Sequence, residues 1–467
     1  MLIAGGLLVD GTGAEPRQAD VLVEGDRIVA VGPGLSAPAG TEVVDATDRV
    51  VTPGFIDIHT HSDVSLQLDG RGESKLRQGV TTEVIGNCGF SAYPLTPGRR
   101  DDQLDLLEGI GDRRIDPDWT DLDGYAAALT EQGIALNVAP LVGHGALRLA
   151  VAGTAERALT PAELAQLRGL LAAQLAQGAF GMSTGLTYVP SRFADRTELV
   201  GLCEVLAEHR ALYATHARGE ASTSVKEAAD LALSTGVRVQ YSHLAINDPA
   251  RWGSAEQVVA TLAGARDAGA DIAADVYPYA ASASALTQYL PLWVLEGGSE
   301  AMRHRLDDPD VFARAAQDLS LGWGHSPVTG RIPWAWERVE ISRGDRIAGV
   351  VDGESIAAAA RRLRRDPAGL VLELCRVGGH RVQVVLHYRT EQDMQAFLSC
   401  GFTTMGSDGS AVGYDVDRHP HPRFFGASVR TLGRYVRDLG LLTLPEAVHK
   451  MTGAVAERLR LTDRGTV

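Results

Sequence analysis

The apolar positions of the chain change rhythm at Pro53. Before it, short runs alternate apolar and polar residues: LIAGGLLVDG, ADVLVEGDRIVAVG and TEVVDATDRVVTPG. A period of two turns one face of an extended chain toward a core, and the Gly, Asp and Pro between the runs are turn residues. Residues 1–52 are therefore expected to form a small all-β module. After Pro53, strand-like runs ending in polar or glycine-rich residues alternate with helical stretches. FIDIHTH, GVTTEVIGNCG, IALNVAPLVGHG, AFGMSTG, ALYATHARGE, VRVQYSHLAI, ADIAADVYPYAA and FTTMGSDGSA make eight β segments. Helices such as ELVGLCEVLAEHR and SAEQVVATLAGARDAG separate them. Eight βα units predict an α/β fold, a TIM-like (β/α)8 barrel with its reactive residues at the C-terminal ends of the strands.

Two intervals break the spacing. Between DVYPYAA and FTTMGSDG lie about 120 residues with helical runs and an aromatic patch, IPWAWERVEIS. That is too long for a loop and reads as an inserted subdomain or lid before the last barrel strand. The expected division is a β module at 1–52, barrel at 53–284, insertion at 285–380, barrel again at 381–442, and a C-terminal helix with the start of a β module at 443–467. The last run stops at DRGTV, so the small β-sandwich is expected to lack C-terminal strands or to be completed otherwise, as by a partner subunit in a homo-oligomer.

Composition narrows the setting. A formal net charge of −15 argues against nucleic acid or an anionic membrane as a partner. Cys88, Cys203, Cys375 and Cys400 are too few and too scattered for a disulfide framework, which fits a reducing, cytoplasmic location. The apolar start MLIAGGLLVDGTGAEP has no basic leader and reads as strand and turn. No window reaches the roughly eighteen apolar residues of a membrane span.

Candidate chemistry begins in TPGFIDIHTHSD. In an extended chain His59 and His61 project to one face, with Asp57 two residues earlier. Cys88 in EVIGNCG, His216 in LYATHARGE, His243 in VQYSHLAI and Asp408 in TTMGSDGS fall at the ends of other strand-like runs. On a barrel these ends converge on one mouth. Imidazoles, a thiolate and a carboxylate together are a zinc-ligand set, whereas any one alone is more often structural. His209, His304, His325, His380, His387, His419, His421 and His449 have no positional partner, and Cys203, Cys375 and Cys400 read as core residues.

PGFIDIHTH after a small β module, followed in order by GNCG, THARGE, SHL, DVYPY and GSDG, resembles the amidohydrolase superfamily. Within it the chain is most similar to the N-acyl-D-amino-acid deacylase (D-aminoacylase) family, over nearly its whole length. HPRFFGASVRTLGRYVR is similar to the family's HPR segment. The resemblance implies a tight zinc site at Cys88, His216 and His243, and a weaker second position at His59, His61 and Asp408 with Cys88 bridging. It also implies Asp408 as general acid and base, and Arg423, Tyr188 and Tyr277 around the carboxylate of a small N-acylated amino acid. The implied reaction is hydrolysis of the amide to a carboxylic acid and a D-amino acid.

In one place the chain departs from the family. SHL is usually followed by a lysine that helps bind the substrate carboxylate, whereas here Ala245 stands in SHLAIND, leaving Arg423 or Arg218 to replace that cation. The interval SAVGYDVDRHPHPR also differs from the family's short form, and His144 in GHGALR resembles a family motif expected to support the ligands or the fold rather than to touch the metal. Two other functions remain open at this stage. One is a hydantoinase- or dihydroorotase-like enzyme, or a dipeptidase, although AFGMSTG lacks the carboxylated lysine those relatives commonly use. The other is a catalytically silent barrel that binds a metal or ligand.

Overall fold

The computed structural model describes residues 1–467 apart from 112, 327, 329 and 416–418 and the side chains of 325 and 326. His325 and part of the SAVGYDVDRHPHPR interval therefore lie outside the described residues. The chain opens with five strands, β1 (Leu2–Leu8), β2 (Arg17–Glu24), β3 (Arg27–Gly32), β4 (Val43–Asp45) and β5 (Val50–Val51). They form one sheet in the order β3-β2-β1-β4, with β5 also on β1. Leu8, Ala19 and Val21 make its small core, against which Val467 packs. The Val467 N–H donates to the Asp10 carbonyl at 3.0 Å, so the C-terminal tail returns to this module. It does so without forming a strand among the described residues.

The barrel follows. Its strands are β6 (Phe55–Asp57), β7 (Val80–Ile85), β8 (Asn137–Gly143), β9 (Gly181–Gly185), β10 (Leu212–His216), β11 (Arg238–Tyr241) and β12 (Ile272–Val276). After the insertion, which carries β13 (Ser282–Ala285), β14 (Trp323–Ser326), β15 (Gly330–Ile332), β16 (Val339–Arg343) and β17 (Gln383–Leu386), β18 (Thr403–Met405) completes the set. All barrel neighbours are parallel, in the order β18-β12-β11-β10-β9-β8-β7-β6. A parallel bridge between Thr60 and Gly409 joins the two ends, and the Asp408 N–H donates to the His59 carbonyl at 2.8 Å. The ring is thus the (β/α)8 barrel that the eight segments predict.

Helices return each strand to the bottom of the barrel, and their ends are coded locally. The helix Pro161–Ala176 begins with a reciprocal Thr160–Glu163 capping box and a proline in its first turn. Inside the barrel floor, Ile56, Val84, Leu141 and Leu212 pack with Val455 and Leu459 of the helix Gly453–Leu459, which plugs the end opposite the mouth.

The insertion has its own core, from Leu286 to Tyr388, over the antiparallel sheet β13-β17-β16. The aromatic patch read from IPWAWE is part of it, with Trp334 and Trp336 stacked at 4.2 Å. No helix among the described residues is long and apolar enough to cross a membrane.

One local expectation is corrected. Asp57 does not share a face with His59 and His61. Phe55 packs in the layer between barrel and helices while Ile56 packs inside the barrel, so Asp57, in phase with Phe55, faces outward. There it meets Lys75, and β6 ends. The backbone bends at Ile58 and His59, and this bend turns the two histidines into the mouth.

Candidate metal centre

Two donor groups meet at the mouth: His59, His61, Cys88 and Asp408, and Cys88, His216 and His243, the ligand atoms within each group lying no more than 4.8 Å apart. Cys88 belongs to both. Its Sγ is 3.3 Å from His59 Nε2 and 3.4 Å from His243 Nε2, and His243 Nε2 is 3.0 Å from His216 Nδ1. Asp408 Oδ1 is 2.9 Å from His61 Nε2 and 3.5 Å from His59 Nε2. The structure brings together all six residues singled out in the sequence as ligands.

The backbone at these positions is unusual. Cys88, His243 and Asp408 have φ of 53°, 38° and 54°, in the left-handed region that non-glycine residues avoid. Strain of this kind persists only where the surroundings over-determine it, and it concentrates at functional sites. Around Cys88 the surroundings are visible in GNCG. A side chain at Gly86 would collide with the Leu141 carbonyl oxygen, and one at Gly89 would meet the Gly185 nitrogen at 2.8 Å. The two glycines let the loop press against β8 and β9, and Asn87 Nδ2 ties it to the Val84 carbonyl at 2.9 Å.

Electrostatics follow from crowding donors in a dry place. Burial alone raises the Cys88 thiol, but the imidazoles of His59 and His243 and hydrogen bonds from His216 and His243 hold it well below the ordinary thiol range. Burial also opposes ionisation of Asp408, yet Arg423, His61, His59 and His243 hold it well below the ordinary carboxylate range. Against burial, Asp408 and Cys88 raise His61 to about 9. Burial and His243 lower His216. An anionic sulfur among imidazoles and a carboxylate is a donor set that fits zinc.

Partners outside the donor set were less legible. The ring of His59 is oriented by Asp275, with Nδ1 3.1 Å from Oδ1, and not by Asp57, which touches His59 only at its backbone N–H, accepted at 3.3 Å. The same Asp275 oxygen accepts the His243 N–H at 2.7 Å, so one carboxylate fixes two ligands. The available signal was a lone acid inside the apolar strand IAADV. His421 was also missed. Burial and Arg423 keep it neutral, its Nδ1 accepts the Arg423 N–H at 3.0 Å, and its Nε2 donates to the Ala281 carbonyl at 3.1 Å. His144 is buried away from the mouth, between Ser191 Oγ at 2.9 Å and Glu198 Oε1 at 2.7 Å.

A cavity of about 510 Å³ opens above the donors, between the barrel mouth and the insertion. Leu106, Leu149, Leu290 and Trp293 give it an apolar wall, and Arg423, Tyr277 and Tyr188 also line it. Arg423 Nη1 donates to Asp408 Oδ2 at 2.7 Å, and its guanidinium lies 4.9 Å from the Tyr277 ring centre. Tyr188 stands elsewhere, edge-on to His216 at 5.0 Å. Arg218 does not line the cavity; it pairs with Glu227 at 3.1 Å and is removed as a substitute for the missing lysine. The chain's lysines, Lys75, Lys226 and Lys450, do not line it either, so no lysine is at hand to bridge metals as the cyclic-amide reading requires.

The profile of the family described as "Amidohydrolase family" matches residues 42–467. The chain belongs to the amidohydrolase family, and within it to the N-acyl-D-amino-acid deacylase (D-aminoacylase) family. It is 35% identical over 470 residues to an N-acyl-D-glutamate deacylase of Alcaligenes xylosoxydans xylosoxydans, covering 100% of this chain and 84% of the relative. A D-aminoacylase of the same organism is 35% identical over 468 residues, covering 100% and 85%. The crystal structure of N-acyl-D-glutamate deacylase from Bordetella bronchiseptica, complexed with zinc and a phosphonate inhibitor that mimics the reaction's tetrahedral intermediate, superposes with a TM-score of 0.82. It is 31% identical, over 100% of this chain and 86% of that one.

Proposed function

We propose that the protein is a zinc-dependent hydrolase that cleaves the amide of N-acyl-D-amino acids, releasing a carboxylic acid and a D-amino acid. The carrying observation is the shared sulfur: Cys88 Sγ belongs to both donor groups, with the Asp408 carboxylate among the donors. Cys88, His216 and His243 would hold the tighter zinc, and His59, His61 and Asp408, with Cys88 between, a second and weaker one. Bound zinc supplies Lewis acidity, which lowers the pKa of water to about 7 and polarises the amide carbonyl.

The chain's own groups do the rest. Asp408, kept ionised by Arg423 and the imidazoles, takes the proton from the attacking water. It then delivers that proton to the nitrogen of the leaving amine. Arg423 and Tyr277 receive the substrate carboxylate, and Tyr188 closes the wall beside His216. A carboxylate that draws Arg423 toward itself weakens the Arg423–Asp408 pair, which makes Asp408 a better base when substrate is bound. The apolar wall accommodates the acyl chain. The D configuration rests on the relatives.

The test is metal analysis of the purified protein combined with hydrolysis of N-acetyl-D- and N-acetyl-L-leucine, -methionine and -glutamate. Zinc in the protein and turnover confined to D substrates are the expected results. Turnover of dihydrouracil or hydantoin with none of the D panel would overturn the reading.

A further inference from the structure

Arg423 is a divided cation. It is 4% exposed, one of its nitrogens is committed to Asp408 at 2.7 Å and another to the Ala283 carbonyl at 3.2 Å. A substrate carboxylate arriving beside it competes with the very group that needs it. Ala245, on the cavity wall after β11, offers no charge. On the same loop, however, Asn247 Oδ1 accepts a hydrogen bond from Arg389 Nε at 2.9 Å. Arg389 comes from the far side of the insertion, directly after β17, and reaches across to the barrel. Its guanidinium lies 4.7 Å from the Tyr277 ring centre, so that two guanidiniums attend one tyrosine.

The Tyr277 hydroxyl is buried and has no hydrogen-bond partner among the described residues, and the same holds for Arg423 Nε. Arg389 lines the cavity and pairs with no carboxylate among the described residues; its one hydrogen bond there, to Asn247, uses Nε and leaves its two terminal nitrogens uncommitted. Orphaned donors around a shared ring describe an anion site, because a buried polar group without a partner is costly unless a ligand supplies one. Arg192 also lines the cavity, but the charges that bear on it are Arg218 and Glu156, away from Tyr277.

We propose that Arg389 is the second carboxylate-binding cation of the site: it holds the α-carboxylate of the N-acyl amino acid together with Tyr277 and Arg423, on the loop that carries Ala245. This inference rests on the functional reading above. It moves the cation from the barrel strand to the insertion, so that the insertion takes part in recognising the carboxylate.

The experiment compares wild type, Arg389→Met, Arg389→Lys and Arg192→Met on two substrates. These are whichever of N-acetyl-D-leucine, -methionine or -glutamate the wild type cleaves fastest, and the α-carboxamide of the same compound. Arg389→Met is expected to lower kcat/KM for the acid by about 10–100-fold, mainly through KM, while changing the carboxamide by less than about threefold. Arg389→Lys recovers part of the loss, and Arg192→Met leaves the preference intact. Equal losses on acid and carboxamide, or a loss with Arg192→Met alone, would each overturn the assignment. A wild type that cleaves none of the acids overturns the functional reading and this inference with it. A wild type that prefers the acid, with an Arg389→Met that keeps the preference, overturns only this inference.

Discussion

Two buried charged clusters lie on either side of the chain at β6, and they have opposite characters. On the outer side, Lys75 Nζ is surrounded by Asp57 Oδ2 at 2.8 Å, Ser407 Oγ at 2.6 Å, the Gly409 carbonyl at 3.1 Å and Glu83 Oε1 at 3.1 Å. On the inner side, two residues further along, His59 and His61 join a thiol, two more imidazoles and a carboxylate, with Arg423 at the edge. The outer cluster carries its cation on a side chain, so its charge is settled when the chain folds. The inner one leaves the central place to an ion from solution. Buried charge that brings its own counter-ion is architecture; buried charge arranged around a place for one is chemistry. The bend after Asp57 divides one short run between the two.

The contrast can be broken at either cluster. Cys88→Ala, which takes a donor from both groups at once, should lose bound zinc and lower hydrolysis by well over the roughly 100-fold typical of outer-shell partners, read by metal content and turnover together. Asp408→Asn should reduce kcat by about 10²–10⁴-fold while zinc at Cys88, His216 and His243 is retained. Retained turnover would remove the proton-transfer role. Lys75→Met attacks the other cluster and should cost about 3–5 kcal/mol in denaturant unfolding, because it strands two carboxylates away from water. Replacing Lys75, Asp57 and Glu83 together by apolar residues should come close to neutral, which would establish the outer cluster as purely structural. Among the single substitutions the smallest effect is expected from Asp275→Asn, about 10–100-fold in zinc affinity or turnover, since it loosens His59 and His243 without removing a donor.

Much of this was legible along the chain, because a barrel imposes order. Each strand end faces the same mouth, so HTH, GNCG, THARGE, SHL and GSDG could be gathered by position without knowing any distance. What escaped was decided by closure in three dimensions. Asp57 was assigned to the histidines because alternation was extended past the point where Lys75 and Glu83 hold the strand end. Asp275 was hidden because a single acid in an apolar strand does not say which neighbouring strand it will reach. Arg389 was invisible for the same reason at longer range: it lies more than a hundred residues after Asn247 and meets it only through the fold of the insertion.

The left-handed backbone at Cys88, His243 and Asp408 sets a hazard for anyone who tries to harden this protein. Glycine relaxes such a conformation at little steric cost, so screening for endurance alone would reward the loss of the groups proposed to hold zinc and move protons. Heat-tolerant descendants chosen without an activity assay would be expected to be quiet ones.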